Sequence, residues 1–472
     1  MSFTIFLSSS RFARALIGAA FFCTLLAGEA RAASKPNILF LFADDMRPDT
    51  IGALGNPVIK TPHLDGLVQR GLSFRRAYMM GGLQPATCVP SRAMLLSGQS
   101  LFRADEKLLR DETWPAAFGR AGYRTFVSGK WHNGGASIGK SFQVARSMFT
   151  GGMTNPMQAK LSDVTNGQVG PAKLAPKHAC EVFADEAIRF LQEPGEAPFF
   201  CYVPFDAPHD PHIVPDDFPI HYDPKQLPLP PNFAPQHPFN NGEMLIRDEK
   251  LLPHPRSPEA VRVMNAEYYR YISHLDAQIG RVLDALAASP RGRDTIVVFS
   301  ADSGVARGSH GLIGKQNLYE HSVRVPLIVA GPGIAAGKAT EAQCYLFDVL
   351  PTLGAWCGVT APESSEGIDF SATLRDPSQP VRQELMFAYR DVQRAWCDER
   401  WKVIRYPRVN VTQLFDLQTD PEETRDLAAD PAQAARVMQM LARLKAAQGT
   451  FADTQPLTVP HPQPAAWTPP AR

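Results

Sequence analysis

Two short apolar runs end in carboxylates: Ile38–Ala43 leads straight into Asp44 and Asp45, and Ile296–Phe299 passes through Ser300 and Ala301 into Asp302. Brought together, such groups repel one another unless protonated or bridged by a cation, and hard oxygen donors suit Ca²⁺ or Mg²⁺. Taken singly, each Asp equally caps a following turn or helix. Two further runs end in groups that hold anions or move protons. Thr125–Ser128 runs into Gly129-Lys130-Trp131-His132, and Phe199–Val203 leads through Pro204 to Pro208-His209-Asp210-Pro211-His212. Lys130 offers a cation to an anionic substrate, while His132 and His209 titrate near neutral pH.

The segment Cys88-Val89-Pro90-Ser91-Arg92 adds sulfur chemistry. Pro90 fits the first turn of a helix, which places Cys88 at the helix N-terminus and Arg92 one turn later on the same face. Unpaired N–H groups and the helix dipole make that position attractive to anions. From these residues alone two readings stand: a low-pKa nucleophilic thiol beside a metal, and a buried structural cysteine.

Short buried runs, Val325–Val329 among them, alternate with helical patterns, and this spacing predicts an α/β fold with a mostly parallel sheet covered on both faces. In such sheets ligands bind beyond the carboxyl ends of the strands, where the polar residues above lie. Glu259–Leu286 is the clearest helix, with Met264, Tyr268, Tyr271, Ile272, Leu275, Ile279 and Val282 at three- and four-residue spacing. Fourteen of the 42 prolines fall between Pro204 and Pro258, which marks an ordered excursion around a binding site. His212, His221, Arg247, Asp248 and Glu249 from this stretch are expected at the pocket rim. The expected boundaries are a catalytic domain over 33–365, a smaller α+β subdomain over 366–454 with strands at Trp401–Tyr406 and Gln413–Leu417 and a helix near Ala432–Ala447, and a proline-rich tail over 455–472, extended or mobile.

The 472 residues are 44% hydrophobic and carry a formal net charge of +1, of which Arg11, Arg14 and Arg31 against Glu29 contribute +2, leaving the rest of the chain at −1. A chain of this size and balance has ample core and no broad basic surface, so non-specific nucleic-acid binding is excluded as a function class. Residues 1–32 pair Arg11 and Arg14 with an apolar run and Ala30-Arg31-Ala32, the layout of a cleavable signal peptide cut near Ala32. No later segment is long and apolar enough to span a bilayer, so the expectation is a secreted or periplasmic protein without stable membrane association. Cys23 lies in the N-terminal stretch, and the six remaining cysteines are too scattered for their pairing to be read.

Taken together, Cys88-x-Pro90-Ser91-Arg92 after Asp44-Asp45, Thr61-Pro62-x-Leu64-Asp65, Gly129-Lys130-Trp131-His132, Pro208-His209-x-Pro211-His212, Gly314-Lys315 with Tyr319-Glu320-x-Ser322-Val323-Arg324-Val325-Pro326, and Leu414-Phe415-Asp416-Leu417 resemble, in order, the sequence blocks of the type I sulfatases of the alkaline-phosphatase-like superfamily. The resemblance spans roughly Lys35–Ala429, and its wording is most similar to carbohydrate sulfatases of the iduronate-sulfatase type. It implies an alkaline-phosphatase-like sheet flanked by helices. It also implies that a formylglycine-generating maturation enzyme oxidises Cys88 to Cα-formylglycine, whose hydrate is the nucleophile. Asp44, Asp45, Asp302 and residue 88 would then hold Ca²⁺, with Mg²⁺ as the variant. Arg92 would bond the hydrate, Lys130 and Lys315 the sulfate oxygens, and His212 would join His209 in binding substrate. Asp302 would activate the nucleophile, His209 would protonate the leaving alcohol, and His132 would serve the step that expels sulfate. Ser303 stands where the family usually carries Asn, His or Gln, so it is expected as a ligand shorter than usual. The implied substrate is a sulfate monoester, of a carbohydrate or another small molecule. A phosphomonoester or phosphonate-ester hydrolase on the same site, and an inactive sulfated-glycan-binding protein, are the alternatives.

Overall fold

Strand β1 (Asn37–Ala43) is buried along its whole length, and its alternate residues serve two cores. Ile38, Phe40 and Phe42 face one cluster, and Leu39, Leu41 and Ala43 the other, as the two-residue period of a strand dictates. In the computed structural model, which apart from Met1 describes residues 35–469, β1 lies at the centre of an eleven-stranded mixed sheet. The other members are β2 (Leu72–Tyr78), β4 (Arg124–Val127), β5 (Val144–Met148), β6 (Lys160–Thr165), β7 (Gln168–Val169), β8 (Lys173–Leu174), β9 (Phe199–Pro204), β10 (Thr295–Ala301), β11 (Arg324–Ala330) and β12 (Lys338–Tyr345). Its centre, β5-β4-β9-β1-β10, is parallel. The run at Val325–Val329 is β11, which pairs antiparallel with both β10 and β2. The expected signal peptide lies outside the described residues, and among those no helix is long and apolar enough to cross a membrane.

Helices cover both faces. On one side lie α1 (Pro62–Arg70), α3 (Ala179–Gln192) and α4 (Pro258–Ala288), whose apolar stripes share a core with Leu39 and Leu41. Ser257 caps α4 by accepting from Ala260 N at 3.1 Å, with Pro258 in the first turn. The opposite face packs α2 (Cys88–Ser97) and a second sheet, of order β16-β15-β14-β13-β3. Its strands are β13 (Leu385–Tyr389), β14 (Gln393–Cys397), β15 (Trp401–Tyr406), β16 (Val411–Asp416) and β3 (Gly81–Gly82), and α5 (Ala434–Phe451) follows them. The C-terminal strands thus recruit an edge from residues 81–82, six residues before Cys88, and so support α2 directly. Only glycine fits at 81: its φ is +117°, and a Cβ there would sit 1.9 Å from the Ala388 carbonyl oxygen. Gly81→Ala is expected to cost roughly 2–4 kcal/mol through strain and forced separation of β3 from β13, read as a lower midpoint of thermal unfolding.

The tail is extended and pinned rather than mobile. Ala465 O accepts from Asn240 N at 2.8 Å, Trp467 O accepts from Gln236 Nε2 at 3.1 Å, and the Trp467 ring meets His254 edge-on at 4.7 Å. All six cysteines among the described residues are free and buried.

Candidate active site

The register of β1 against β10 sets Ala43 beside Ala301, so the chain leaves both strands at one end and presents Asp44, Asp45 and Asp302 together. Asp45 N donates to Asp302 Oδ1 at 3.1 Å. Asp45 itself is in the left-handed region at φ 61°, an uncommon state for a residue with a side chain. It is held there by Tyr268 on α4, whose hydroxyl donates to Asp45 O at 2.7 Å and accepts from Arg47 N at 3.2 Å.

Helix α2 starts at Cys88, as its sequence predicts, and carries Arg92 one turn on. Arg92 donates to Asp302 Oδ2 (2.9 Å), Asp44 Oδ2 (2.9 Å) and Lys130 O (2.8 Å), while Ser91 Oγ donates to Asp302 O at 2.6 Å. Lys130 follows β4 after Gly129, whose φ of +141° brings it so near Pro204 that a Cβ would lie 2.0 Å from that carbonyl oxygen. The turn puts Lys130 Nζ 2.5 Å from Asp44 Oδ2. Lys315 Nζ donates to both oxygens of Asp45 (2.6 and 2.7 Å) and lies 3.8 Å from Cys88 Sγ. Three cations therefore face three carboxylates in the interior, with the sulfur among them. Burial alone raises Asp44, but Lys130 and Arg92 outweigh it and hold the group well below the usual carboxylate range. Asp302 is pushed up to about 6 by burial and by the nearby Asp44. Burial works against the charge on both lysines, yet Asp44 keeps Lys130, and Asp45 keeps Lys315, above the ordinary lysine value.

The thiolate reading of Cys88 does not hold. The residue is 1% exposed, and burial pushes the thiol up to about 11 despite the pull of Lys315 and Lys130. His132 Nδ1 lies 3.3 Å from the sulfur. Burial and the neighbouring Lys130 bring His132 down to about 3, so its ring is neutral at physiological pH and does not titrate near neutrality as its sequence position leads one to expect.

His209 sits at the mouth, with Nε2 3.6 Å from Asp45 Oδ2 and Nδ1 2.8 Å from Asp210 O. His212 lines the same cleft, together with Asp210, Asp248, Tyr268 and Arg307. Its ring packs edge-on against Tyr268, and its Nε2 lies 3.3 Å from Arg307 Nη1. Of the expected rim residues, Arg247 and Asp248 are present: Arg247 pairs with both Asp210 and Asp248. His221 is exposed and does not line the cleft, and Glu249 is buried beneath it. Tyr268 acts from a helix that sequence marks only by periodicity, and Arg307 from the loop after β10, which carries no recognisable signal. Ser91 alone among the overlooked groups sits inside a recognisable motif.

The donor set suits a hard divalent cation. Asp44 Oδ1 is buried without a hydrogen-bond partner, and Asp44, Asp45 and His209, or Asp44, Cys88 and Asp302, can each place one ligand atom within 4.8 Å of the others. Ser303 is buried beside them, its Oγ donating to Asp45 Oδ1 at 2.8 Å.

Comparison with known proteins agrees with this geometry. Residues 36–359 match the family model described as Sulfatase, and residues 308–450 match that of the C-terminal region of N-sulphoglucosamine sulphohydrolase. A delta 4,5-hexuronate-2-O-sulfatase of Bacteroides thetaiotaomicron is 28% identical over 449 residues, covering 86% of this chain and 87% of its own. Among solved structures, a complex with the substrate D-glucosamine-2-N,6-O-disulfate superposes with a TM-score of 0.73 at 20% identity, covering 90% of this chain and 99% of that one. The phosphonate monoester hydrolase of Agrobacterium radiobacter shares the fold at TM-score 0.70 and 23% identity, covering 88% and 96%. With the sulfatase model spanning most of its length and the buried cluster built from that family's sequence blocks, this chain belongs to the sulfatase family of sulfuric ester hydrolases.

Proposed function

We propose that the protein hydrolyses a sulfate monoester of a carbohydrate, using Cα-formylglycine made from Cys88 and a calcium ion. The observation that carries this reading is the position of Cys88. It is a buried, unionised sulfur at a helix N-terminus, set among Lys315, His132 and the carboxylates of Asp44 and Asp302. A thiol held at about 11 is a poor nucleophile at neutral pH, whereas the cations around it suit a tetrahedral oxyanion.

Lys130 and Lys315 are placed to bind sulfate oxygens and offset charge gained on them. Arg92 fixes Asp44 and Asp302 relative to residue 88, and Asp302 accepts a proton from the attacking group. His209, at the mouth, is the donor for the departing alcohol, and neutral His132 is the base for releasing sulfate. The hydrated formylglycine supplies the nucleophilic hydroxyl. Asp44, Asp45 and Asp302, with Ser303 alongside, would hold the metal, which supplies Lewis-acid stabilisation of charge on the sulfuryl oxygens. His212, fixed between Tyr268 and Arg307, contributes to the sugar-facing wall.

The same reading takes residues 1–32 as a secretory signal and the protein as periplasmic or secreted, matured by a formylglycine-generating enzyme. It takes 33–365 as the catalytic domain and 366–454 as the subdomain that supports α2. The relative named as a hexuronate-2-O-sulfatase supports a carbohydrate substrate.

The test is mass spectrometry of the peptide containing residue 88 from protein made with the maturation enzyme, alongside turnover of aryl sulfate against aryl phosphate. An aldehyde or its hydrate with preference for sulfate is expected. Active protein with an unmodified Cys88, or preference for phosphate, would overturn the reading. Ser303→Asn is expected to keep turnover and to lower the calcium concentration for half-activity, because an amide oxygen reaches further than the hydroxyl that now bonds Asp45. A calcium titration checks this, and a large loss of activity would count against Ser303 as a ligand.

A further inference from the structure

Glu249 comes from the proline-rich excursion and does not face the cleft. It is 4% exposed. Its carboxylate accepts from Gly314 N at 2.9 Å and Ile313 N at 3.1 Å, and pairs with Arg256 Nη2 at 2.5 Å. Arg256 is itself buried and closes the loop on both sides, donating to Glu249 O at 2.9 Å and to Gly311 O at 3.3 Å. The backbone so clasped is the turn that delivers Lys315. From the other side, Gln316 Nε2 donates to Asp248 Oδ2 at 2.7 Å and to Pro85 O at 3.1 Å, while Gln316 Oε1 accepts from Lys315 N at 3.0 Å. Residues 248 and 249 thus grip 313–316 before and after Lys315. The carbonyl side of the same turn is tied to the segment after β10, with Ala306 N donating to Gly314 O at 3.0 Å and Arg307 N to Ile313 O at 3.2 Å, so Glu249 holds the N–H side.

We propose that Glu249 is a positioning residue for Lys315, acting through the N–H groups of Ile313 and Gly314, so that the proline-rich excursion sets sulfate affinity as well as the pocket rim. This rests on the reading of Lys315 as a sulfate ligand. A carboxylate that orders two N–H groups next to a lysine fixes the path of the lysine stem. Without it, Nζ loses its alignment with Asp45 and with the space above residue 88. The ordering is local, because Arg256 satisfies the rest of the carboxylate and remains bonded to three main-chain carbonyls when the carboxylate is neutralised.

The experiment is a double-mutant cycle in the matured full-length enzyme, with two readouts: KM for an aryl sulfate, and inhibition by inorganic sulfate. Glu249→Gln is expected to raise KM and the sulfate inhibition constant together, by about tenfold or more, with kcat falling as well because Lys315 also offsets charge gained on the sulfuryl oxygens. Glu249→Asp should recover part of the loss. Lys315→Ala should raise the sulfate constant at least as far, and Glu249→Gln added to Lys315→Ala should cost nothing further. Should Glu249→Gln fail to fold, Arg256→Lys enters the same cycle and is expected to show the same lack of additivity. An unchanged sulfate constant in Glu249→Gln, or full additivity with Lys315→Ala, overturns the positioning role. If Lys315→Ala itself leaves sulfate inhibition untouched, the sulfate-ligand reading falls, and this proposal with it.

Discussion

Cys88→Ala is expected to lower sulfate-ester turnover by on the order of 10⁴-fold or more, with the fold and the metal cluster retained. The side chain is buried against Lys315 and His132, and alanine keeps the helix while removing the thiol that formylglycine formation at Cβ would require. The loss should fall on kcat, because Lys130, Lys315 and the cleft residues that bind substrate remain. Steady-state kinetics with circular dichroism and a calcium-dependent thermal shift check it. Residual activity within tenfold of the parent would show that residue 88 is not the nucleophile. Cys88→Ser separates two explanations further: a hydroxyl restores polarity but not an aldehyde, so it should remain as inactive as alanine wherever the maturation enzyme requires a thiol.

Arg92→Met should be the most destabilising single change at the site. Arg92 touches Asp44 and Asp302 at 2.9 Å each with no solvent access, and its removal leaves two buried carboxylates with a lysine apiece at most. Breaking a buried pair from one side costs about 3–5 kcal/mol, against about 1 kcal/mol or less for a comparable exposed pair. Calcium discriminates charge from packing. If unpaired carboxylates cause the loss, millimolar Ca²⁺ should return more of the thermal midpoint to Arg92→Met than it adds to the parent. An equal calcium shift in both proteins would assign the loss to packing alone.

Much of the site could be read from the chain because its parts lie at strand ends. Strands β1, β4, β9 and β10 were each marked by an apolar run, and the residues immediately following them are the ones that meet. Helix α2 likewise begins where Cys88 and Pro90 require. What local pattern could not supply was the environment. The helix N-terminus alone favours a thiolate, yet burial of the sulfur outweighs the pull of Lys315 and Lys130 and the balance reverses. Edge strand β3 carries two glycines and hence no periodicity at all; it is specified by Ala388 across the sheet. Glu249 illustrates the same gap. A proline-rich segment has no face to read, and a charged residue in it looks solvated until Arg256 and the turn at 313–314 are folded around it. The tail was legible as extended, but its anchorage to Gln236, Asn240 and His254 depends on contacts more than 200 residues away in sequence.

The order in which the cluster is synthesised bears on the proposed maturation of Cys88. Cys88 and Lys315 are separated by 227 residues, and β2, just upstream of Cys88, pairs only with β11 and β12. At translation rates of about 5–20 residues per second, Lys315 emerges on the order of ten to forty seconds after Cys88. During that interval Lys315 does not yet cover the thiol, whereas in the finished fold Cys88 is buried against His132 and Lys315. On the proposed formylglycine reading, a maturation enzyme would work against a clock set by strand order, and slowing the last third of the chain should raise the modified fraction.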